Sequence, residues 1–383
     1  MQQHDRIAPH KGRRLPRPDE EVVDQGLSFD IATLMGRRQL LRAFGLGSVT
    51  VGLAACGAGS GTGGGGTPSI TRREPPPVSP EIHRITEQQC TIGENPLWDA
   101  SEERLYWIDV AAGTIYRSTA DGRELQSWNF PGGTLSSLAL RDSGGAIVTA
   151  ATGIHLYDFA TGETDTVFEL DGEPGAGFND GKADRQGRFV TGLVDSTQLQ
   201  ASAGSPGLEH SMALYTVDRD LQVQRLADGF TASNGPCFSP DGTTLYWNDS
   251  WALRSYAFDY DPVLGRASNR RVLVEFTDPG AAVQPLPDGA TVDEEGCLWT
   301  AALYAGEIHR YTPDGTLDRV VPLPLRKPLG VAFGGPDMDI LYVTTMGDAG
   351  FPGVPLPAVH LDGSVLAVHG LGVRGIPETR FAG

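Results

Sequence analysis

Four polar residues with side-chain oxygens recur at the same place in a repeated pattern of the sequence. Each stands five or six positions before a turn that separates two short runs rich in aromatic and β-branched residues. These residues are Glu94, Asn179, Asn234 and Asp288. Two carboxylates and two amide oxygens form a hard donor set, which suits Ca²⁺ or a similar divalent cation better than a soft metal. No His or Cys occupies this register, so the pattern does not favour zinc.

The repeat is clearest between Ala232 and Ser250. There, a Pro240-Asp241-Gly242 turn separates the strand-like runs Pro236–Ser239 and Thr244–Asn248. The turns of related segments fall at residues 99, 142, 184, 240, 293 and 337. A period of roughly 40–55 residues, sufficient for four strands, is typical of a β-propeller. Six copies predict an all-β, six-bladed propeller; a β-sandwich is the alternative, but it does not account for the repeated spacing.

The inner strands of a propeller begin at one face and line a central channel, so equivalent positions of different blades converge. Two further copies place the small residues Ser137 and Gly330 in the same register. A turn-capping role would explain any single Asn or Asp, but not four oxygen donors in one register. The sequence therefore predicts a central divalent metal site. Asp249 ends a returning strand at the same face, where it could support the site or cap a turn.

The N-terminal part of the chain is divided into three segments before the propeller. Residues 1–34 are polar and are predicted to be disordered. Residues 35–56 resemble a twin-arginine signal with a lipobox, because Arg37 and Arg38 precede a weakly apolar run that ends at Cys56. Residues 57–81 form a Gly/Pro-rich linker, and the propeller is predicted to span residues 82–383. Met35 could be the true start, and a buried amphipathic helix is the alternative for the apolar run.

These segments predict an exported lipoprotein, periplasmic or on the cell surface, attached to the membrane only by lipid on Cys56. The net charge is −18, which makes nucleic acid an unsuitable partner. Three further cysteines, Cys90, Cys237 and Cys297, cannot all pair; we expect buried thiols, with one disulfide left open. Nothing in the sequence indicates the oligomeric state.

Five segments together resemble the gluconolactonase/regucalcin family, which includes senescence marker protein and luciferin-regenerating enzyme. They are Gly93–Asp99, Phe178–Lys182, Ser233–Gly235, Pro287–Gly289 and the ending Gly372–Phe381. The resemblance covers about residues 84–381. It implies a six-bladed propeller with a central divalent metal and the hydrolysis of a lactone or ester.

Carried over by position, the resemblance assigns roles to individual residues. Glu94, Asn234 and Asp288 would bind the metal, Asp288 would also be the acid/base residue, and Asn179 would lie between metal and substrate. Asp180 and Asp249 are expected to support the ligands from behind.

The region expected to contact the substrate departs from the family pattern. Sugar-lactone members often carry Arg where this chain has Gly177, and their acidic substrate contact falls near Ser196 and Thr197, with only Asp195 close by. The expected substrate is therefore a less polar lactone or ester, with Asp195 as a candidate contact.

Two other functions fit the same ligands. One is a non-catalytic propeller that binds Ca²⁺ for stability and presents a face to a sugar or a protein. The other is a phosphotriesterase-like activity at the same metal. Asp288 favours an enzyme, because a purely structural site does not need a carboxylate poised beside an open coordination position.

Overall fold

The structure, a computed structural model, describes residues 80–383 except 172–174, 279, 282 and 348–358. These residues form 24 β-strands and one short 3-10 helix, Gln198–Gln200. The strands lie in six antiparallel sheets of four. Within this part of the chain, no helix has the length and apolar character needed to cross a membrane.

The first three sheets follow one another along the chain, each running from an inner to an outer strand. Blade 1 comprises β2 (Gly93–Asp99), β3 (Arg104–Asp109), β4 (Thr114–Ser118) and β5 (Gln126–Asn129). Blade 2 comprises β6 (Ser137–Leu140), β7 (Ala146–Ala150), β8 (Gly153–Tyr157) and β9 (Thr164–Glu169). Blade 3 comprises β10 (Ala176–Ala183), β11 (Phe189–Asp195), β12 (Met212–Val217) and β13 (Val223–Phe230).

The remaining sheets complete the ring. Blade 4 comprises β14 (Ser233–Phe238), β15 (Thr244–Asp249), β16 (Arg254–Asp261) and β17 (Arg266–Glu275). Blade 5 comprises β18 (Leu286–Val292), β19 (Leu298–Leu303), β20 (Glu307–Tyr311) and β21 (Leu317–Pro322). Blade 6 comprises β22 (Pro328–Gly334), β23 (Ile340–Thr345), β24 (Val365–His369) and, from the start of the domain, β1 (Glu81–Arg84).

The six-bladed propeller predicted from the repeat is confirmed, and the first strand of the domain completes the last blade. Strand β1 pairs with β24, with Ile82 opposite Val368, and the Ile85 amide donates to the Val365 carbonyl at 3.1 Å. The inner strands contact one another around the ring, including β22 with β2. Joining the first strand to the last ties the two ends of the domain into one sheet and so closes the ring of blades.

Burial falls from the channel to the rim. All residues of the inner strand β18 are buried, whereas every residue of the outer strand β9 is exposed or half-buried. The tryptophans of the repeated segments, Trp98, Trp107, Trp247 and Trp299, are at most 1% exposed. The aromatic residues that marked the repeat therefore form the cores between blades.

Five of the six inner strands change register just after they begin. The irregularity lies between Glu94 and Leu97 in β2, and at the equivalent positions of β10, β14, β18 and β22. Extra residues in a strand re-aim the neighbouring side chains. In β10 and β18 the residues left outside the ladder include Asn179 and Asp288. The bulges thus lie at the register of the predicted ligands.

The C-terminal segment crosses the opposite end of the channel. Gly375 forms a bridge with Asp293, and Phe381, which is fully buried, forms one with Arg141. Further along the channel, the Lys182 ammonium donates to Glu378 at 2.8 Å and to the Ala290 carbonyl at 3.3 Å. We call this end of the channel the closed face and the end where the inner strands begin the metal face.

Candidate metal and active site

The structure brings the predicted ligands together at the metal face. The Asn179 amide nitrogen donates to the Asn234 side-chain oxygen and to the Ser233 carbonyl, each at 2.8 Å. Both of its hydrogens are thereby used, so Asn179 Oδ1 is the atom left to accept or to coordinate. Glu94 and Asp288 are close enough for the charge of Asp288 to raise the pKa of Glu94.

The two predicted carboxylate ligands are held in an electrostatically unfavourable place. Asp288 is 4% exposed, and burial together with the charge of Asp180 raises its pKa to about 8. The pKa of Glu94 lies well above its ordinary value because of burial, followed by the charges of Asp288 and Asp180. Neither carboxylate forms an ion pair with Lys or Arg in the described part of the chain.

A divalent cation fits these residues. Asp288 Oδ1 is buried and accepts no hydrogen bond from any described residue, so it is a free ligand atom at the centre of the acidic group. A buried oxygen without a partner is costly unless something compensates it. Glu94 and Asp288 would balance two positive charges, and the amide oxygens of Asn179 and Asn234 would add neutral hard ligands.

Asp180 holds three inner strands together beneath the ligands. Its Oδ1 accepts from the Asn95 amide nitrogen at 3.1 Å and from the Gly181 backbone at 2.7 Å, and its Oδ2 accepts from the Gly235 backbone at 2.9 Å. Because these donors lie on β2, β10 and β14, the carboxylate connects the strands that carry Glu94, Asn179 and Asn234. The structure thus places Asp180 where a supporting role was expected.

Asn95 is a site residue that the sequence interpretation missed. Its backbone has a φ of 51°, a left-handed conformation that Asn tolerates better than most residues. Its side chain donates to Asp180 and to the Gly181 carbonyl, and it accepts from the Leu138 backbone at 2.7 Å. It therefore connects three blades directly beside Glu94. Its position next to a predicted ligand, ahead of a proline, was the signal that could have identified it.

Asn248 and Ser250 were also missed, and they contact the ligands from β15 and the turn after it. The Asn248 amide nitrogen donates to the Asp288 carbonyl. The Ser250 hydroxyl accepts from the Asn234 amide nitrogen at 2.8 Å and donates to the Pro287 carbonyl at 2.6 Å. The signal was alternation, because residues two apart in a strand share a face.

Asp249, between these two residues, faces the other way. Its carboxylate accepts from the backbone amides of Thr231 at 2.9 Å, Ala232 at 3.0 Å and Ala252 at 3.2 Å. Asp109 accepts in the same way from Thr91 at 2.8 Å and from Ile92 at 3.2 Å. Of the two roles left open for Asp249, the contacts match turn capping.

Asp195, the candidate substrate contact, is 6% exposed. Its Oδ1 accepts from the Thr197 backbone at 2.9 Å and from the Thr197 hydroxyl at 2.6 Å. These bonds organise the start of the loop that follows β11. A direct substrate contact by Asp195 stays a prediction.

The loop that follows β11 folds over towards blade 4. The Trp251 indole donates to the Ala201 carbonyl at 3.0 Å, and the Gly204 amide donates to the Trp251 carbonyl at 2.8 Å. Leu199 and Leu208 pack against the apolar cluster that contains Trp251. Residues 347–357 lie almost entirely outside the described residues, as do the signal, lipobox and linker segments.

The position where sugar-lactone members often carry Arg is open. Among the described residues, a Cβ at Gly177 would have one neighbour within 4 Å, the Ala151 carbonyl at 3.4 Å, and the backbone there is compatible with other residues. The missing side chain leaves space beside Asn179.

A second group of potential metal ligands lies outside this site. Asp293, Glu295 and Cys297 offer atoms within 4.8 Å of one another. However, the Arg310 guanidinium donates to both carboxylates of this group, and Asp293 also accepts from the Trp299 indole at 2.8 Å. The Arg310 guanidinium already supplies a positive charge to this group, so we favour the metal face as the metal-binding site. Cys90, Cys237 and Cys297 are free thiols and buried.

Comparisons with known proteins agree with this architecture. The family model of the SMP-30/Gluconolactonase/LRE-like region matches residues 92–347. Regucalcin of Xenopus laevis is 32% identical over 79% of this chain and 99% of its own length. The 6-deoxy-6-sulfogluconolactonase of Pseudomonas putida is 32% identical over 78% of this chain and 98% of its own.

Solved structures give the same picture. A luciferin-regenerating enzyme superposes with a TM-score of 0.71 at 27% identity, covering 79% of this chain and all of that one. Regucalcin of Agrobacterium tumefaciens, described as a calcium-binding protein, has a TM-score of 0.66 at 25% identity, covering 78% of this chain and 96% of that one. The chain belongs to the SMP-30/gluconolactonase/LRE-like family.

Proposed function

We propose that this protein is a divalent-metal-dependent hydrolase of a lactone or related ester, with Ca²⁺ as the preferred ion. The observation that carries the proposal is the buried, unpartnered Oδ1 of Asp288 beside Glu94, two carboxylates that have no ion-pair partner among the described residues. The lactonase among the relatives of similar length supports the reaction class.

Glu94, Asn179, Asn234 and Asp288 would hold the ion. When bound, a divalent cation supplies Lewis-acid polarisation of the scissile carbonyl and balances the charge of the carboxylates. A nearby positive charge also lowers the pKa of a carboxyl group. Asp288 would therefore be ionised near neutral pH in the loaded protein, although its pKa is raised without metal.

Asp288 then acts as the acid/base residue. Its carboxylate accepts a proton from the attacking water while the water oxygen bonds to the carbonyl carbon. The same proton is returned to the alkoxide as the ring C–O bond breaks, which gives an alcohol and a carboxylic acid, and the acid then releases its remaining proton to solvent to become a carboxylate. Proton transfer of this kind contributes roughly 10²–10⁴-fold in rate.

Asn179 is proposed to orient the substrate beside the ion. Its two amide hydrogens are donated to Ser233 and Asn234, which holds the side chain in one orientation with Oδ1 available. With Gly177 in place of a long cationic side chain, the neighbouring wall offers no guanidinium for sugar hydroxyls. We infer that less polar lactones or esters are better substrates than gluconolactone.

A panel assay tests the proposal. Purified protein, stripped with chelator and reloaded with Ca²⁺, is assayed on sugar lactones, alkyl-substituted lactones, aryl esters and aryl phosphotriesters. We expect hydrolysis of at least one lactone or ester, loss of it with chelator, and recovery with Ca²⁺. Glu94→Gln should need more Ca²⁺ to reach its maximum rate.

The alternatives correspond to other outcomes of the same panel. Hydrolysis confined to phosphotriesters would assign the second activity. Tight Ca²⁺ binding with no hydrolysis across the panel would favour a binding propeller that presents a face to a sugar or a protein.

We also propose that the chain is exported and anchored by lipid on Cys56. The support is the order of the arginine pair, the apolar run and the Leu-Ala-Ala-Cys sequence, all in residues outside the described range. Replacing Arg37-Arg38 with Lys-Lys should retain precursor in the cytoplasm, and Cys56→Ala should abolish lipid labelling. Wild-type localisation of both variants would contradict this proposal.

A further inference from the structure

Ser250 lies between the inner strands of two neighbouring blades, behind the proposed metal ligands. It is 2% exposed and directly follows β15. Its hydroxyl accepts from the Asn234 amide nitrogen at 2.8 Å and donates to the Pro287 carbonyl at 2.6 Å. One side chain thus contacts both a candidate ligand on β14 and the peptide that precedes the candidate ligand Asp288 on β18.

The direction of the hydrogen bond between Ser250 and Asn234 follows from the single hydrogen that the serine hydroxyl carries. A serine hydroxyl has a single hydrogen, and here that hydrogen goes to the Pro287 carbonyl, which can only accept. Towards Asn234, Ser250 can therefore only accept. The Asn234 NH₂ group must face Ser250, and the Asn234 oxygen must face Asn179 and the metal face.

The same strand end also restrains the backbone around Asp288. Ser250 holds the carbonyl before Asp288, and Asn248 donates to the carbonyl of Asp288 itself. Asn248 and Ser250 are two residues apart and share a face, whereas Asp249 between them points to Thr231 and Ala232. Two consecutive carbonyls of the bulge in β18 are thus held by one neighbouring strand end.

We propose that Ser250 is a positioning residue of the metal centre. It sets the Asn234 amide so that oxygen, and not nitrogen, faces the ion, and it restrains the bulge that aims the Asp288 carboxylate. This inference rests on the proposed metal site. Partners behind metal ligands typically change metal affinity by about 10–100-fold when they are removed.

Ser250→Ala tests this role by direct Ca²⁺ titration of chelator-stripped protein, with calorimetry as the readout and no substrate present. We expect Ca²⁺ affinity to fall by roughly 10–100-fold. Ser250→Cys keeps most of the volume but offers a weaker donor and acceptor, so its affinity should lie between those of wild type and Ser250→Ala. Should Ser250→Ala fail to fold, Ser250→Cys carries the test.

Ser118→Ala is the matched control. Ser118 is also fully buried, and its hydroxyl donates to a backbone carbonyl, that of Thr119 at 2.9 Å, on β4 of blade 1. This variant should lose stability through the same kind of hydrogen bond and keep the wild-type Ca²⁺ affinity. The melting temperature of each metal-free protein separates the two effects.

The outcomes distinguish this inference from the proposal on which it rests. Wild-type Ca²⁺ affinity in Ser250→Ala, with only a lower melting temperature, would overturn the positioning role while the metal site stands. If the wild-type protein binds none of Ca²⁺, Mg²⁺, Mn²⁺ or Zn²⁺, the proposed metal site itself fails, and this inference fails with it.

Discussion

The two ends of the central channel both contain buried carboxylates, but among the described residues only Glu378, at one end, forms an ion pair, whereas Glu94 and Asp288 at the other end form none. At the closed face, burial pushes the pKa of Glu378 upward, yet Lys182 and Arg185 hold it below its ordinary value. At the metal face, burial and mutual repulsion raise the pKa values of Glu94 and Asp288. Within one channel, the pKa of Glu378 is therefore lowered, whereas the pKa values of Glu94 and Asp288 are raised.

The difference indicates at which end the buried carboxylates already have partners within the protein. Lys182 and Glu378 form a buried ion pair at 2.8 Å, with side chains 13% and 8% exposed. Asp288 keeps an oxygen with no partner among the described residues. A folded chain retains such a costly arrangement where a ligand or a reaction uses it. The closed face is thus structural, and the metal face is the candidate for chemistry.

The largest expected effect separates the two ends by activity. Asp288→Asn keeps an oxygen ligand but removes the base, so turnover on the best substrate should fall by at least about 10²-fold while much of the Ca²⁺ affinity remains. Glu378→Gln, the matched carboxylate-to-amide change at the closed face, should leave turnover close to wild type. Steady-state kinetics on Ca²⁺-loaded protein measure both, and near-wild-type turnover of a Ca²⁺-loaded Asp288→Asn protein would end the mechanism.

The next effect concerns stability at the closed face. Glu378→Gln leaves Lys182 buried without its carboxylate, and breaking a buried pair from one side costs about 3–5 kcal/mol. Lys182→Met in the same chain should recover part of this loss, because the unpaired charge is gone. Denaturant unfolding of the single and double variants tests the pair; equal stability of Glu378→Gln and wild type would show that the pair contributes little.

A third expectation concerns pH and metal together. Without metal, Asp288 has a pKa of about 8 in the folded state against 3.8 ordinarily, so the folded state holds a proton that the unfolded chain has released between these values. The free energy of unfolding should therefore fall as pH rises from about 4 to about 8. Ca²⁺ at 100 times its dissociation constant should add about 2.7 kcal/mol.

Unfolding measured at pH 5 and pH 8, with and without Ca²⁺, checks this expectation. Glu378 should contribute with the opposite sign, because its lowered pKa gives stability that is lost on acidification below its ordinary value of 4.5. A metal-free protein whose stability does not fall between pH 5 and pH 8, and does not respond to Ca²⁺, would remove the contrast between the two faces.

The smallest expected effect sharpens the specificity of the metal face. Gly177→Arg places a guanidinium beside Asn179, where a Cβ meets, of the described residues, the Ala151 carbonyl at 3.4 Å. We expect kcat/KM for sugar lactones to rise by about tenfold relative to alkyl lactones, since hydrogen bonds to a charged group contribute about 1.5–3 kcal/mol. Gly177→Met is the uncharged control of similar length; equal gains in both variants would exclude the charge as the cause.

The sequence alone was sufficient for the fold and for placing the predicted ligands in one register. Each blade repeats the same local sequence pattern, in which a turn separates two aromatic-rich strands. This pattern can be recognised without knowledge of the tertiary contacts. Because the repeat also sets where each inner strand begins, it assigns Glu94, Asn179, Asn234 and Asp288 to one face of the propeller.

Only the tertiary structure decided how these residues are held and charged. Asn95, Asn248 and Ser250 act through bonds to residues on other blades, and these partners lie 37–86 positions away along the chain. Asp249 shared the metal face in the sequence pattern, yet its carboxylate turns to the backbone of Thr231 and Ala232. A pKa depends on burial and on charges brought close by folding, so sequence order could not show that Asp288 is uncompensated while Glu378 is paired.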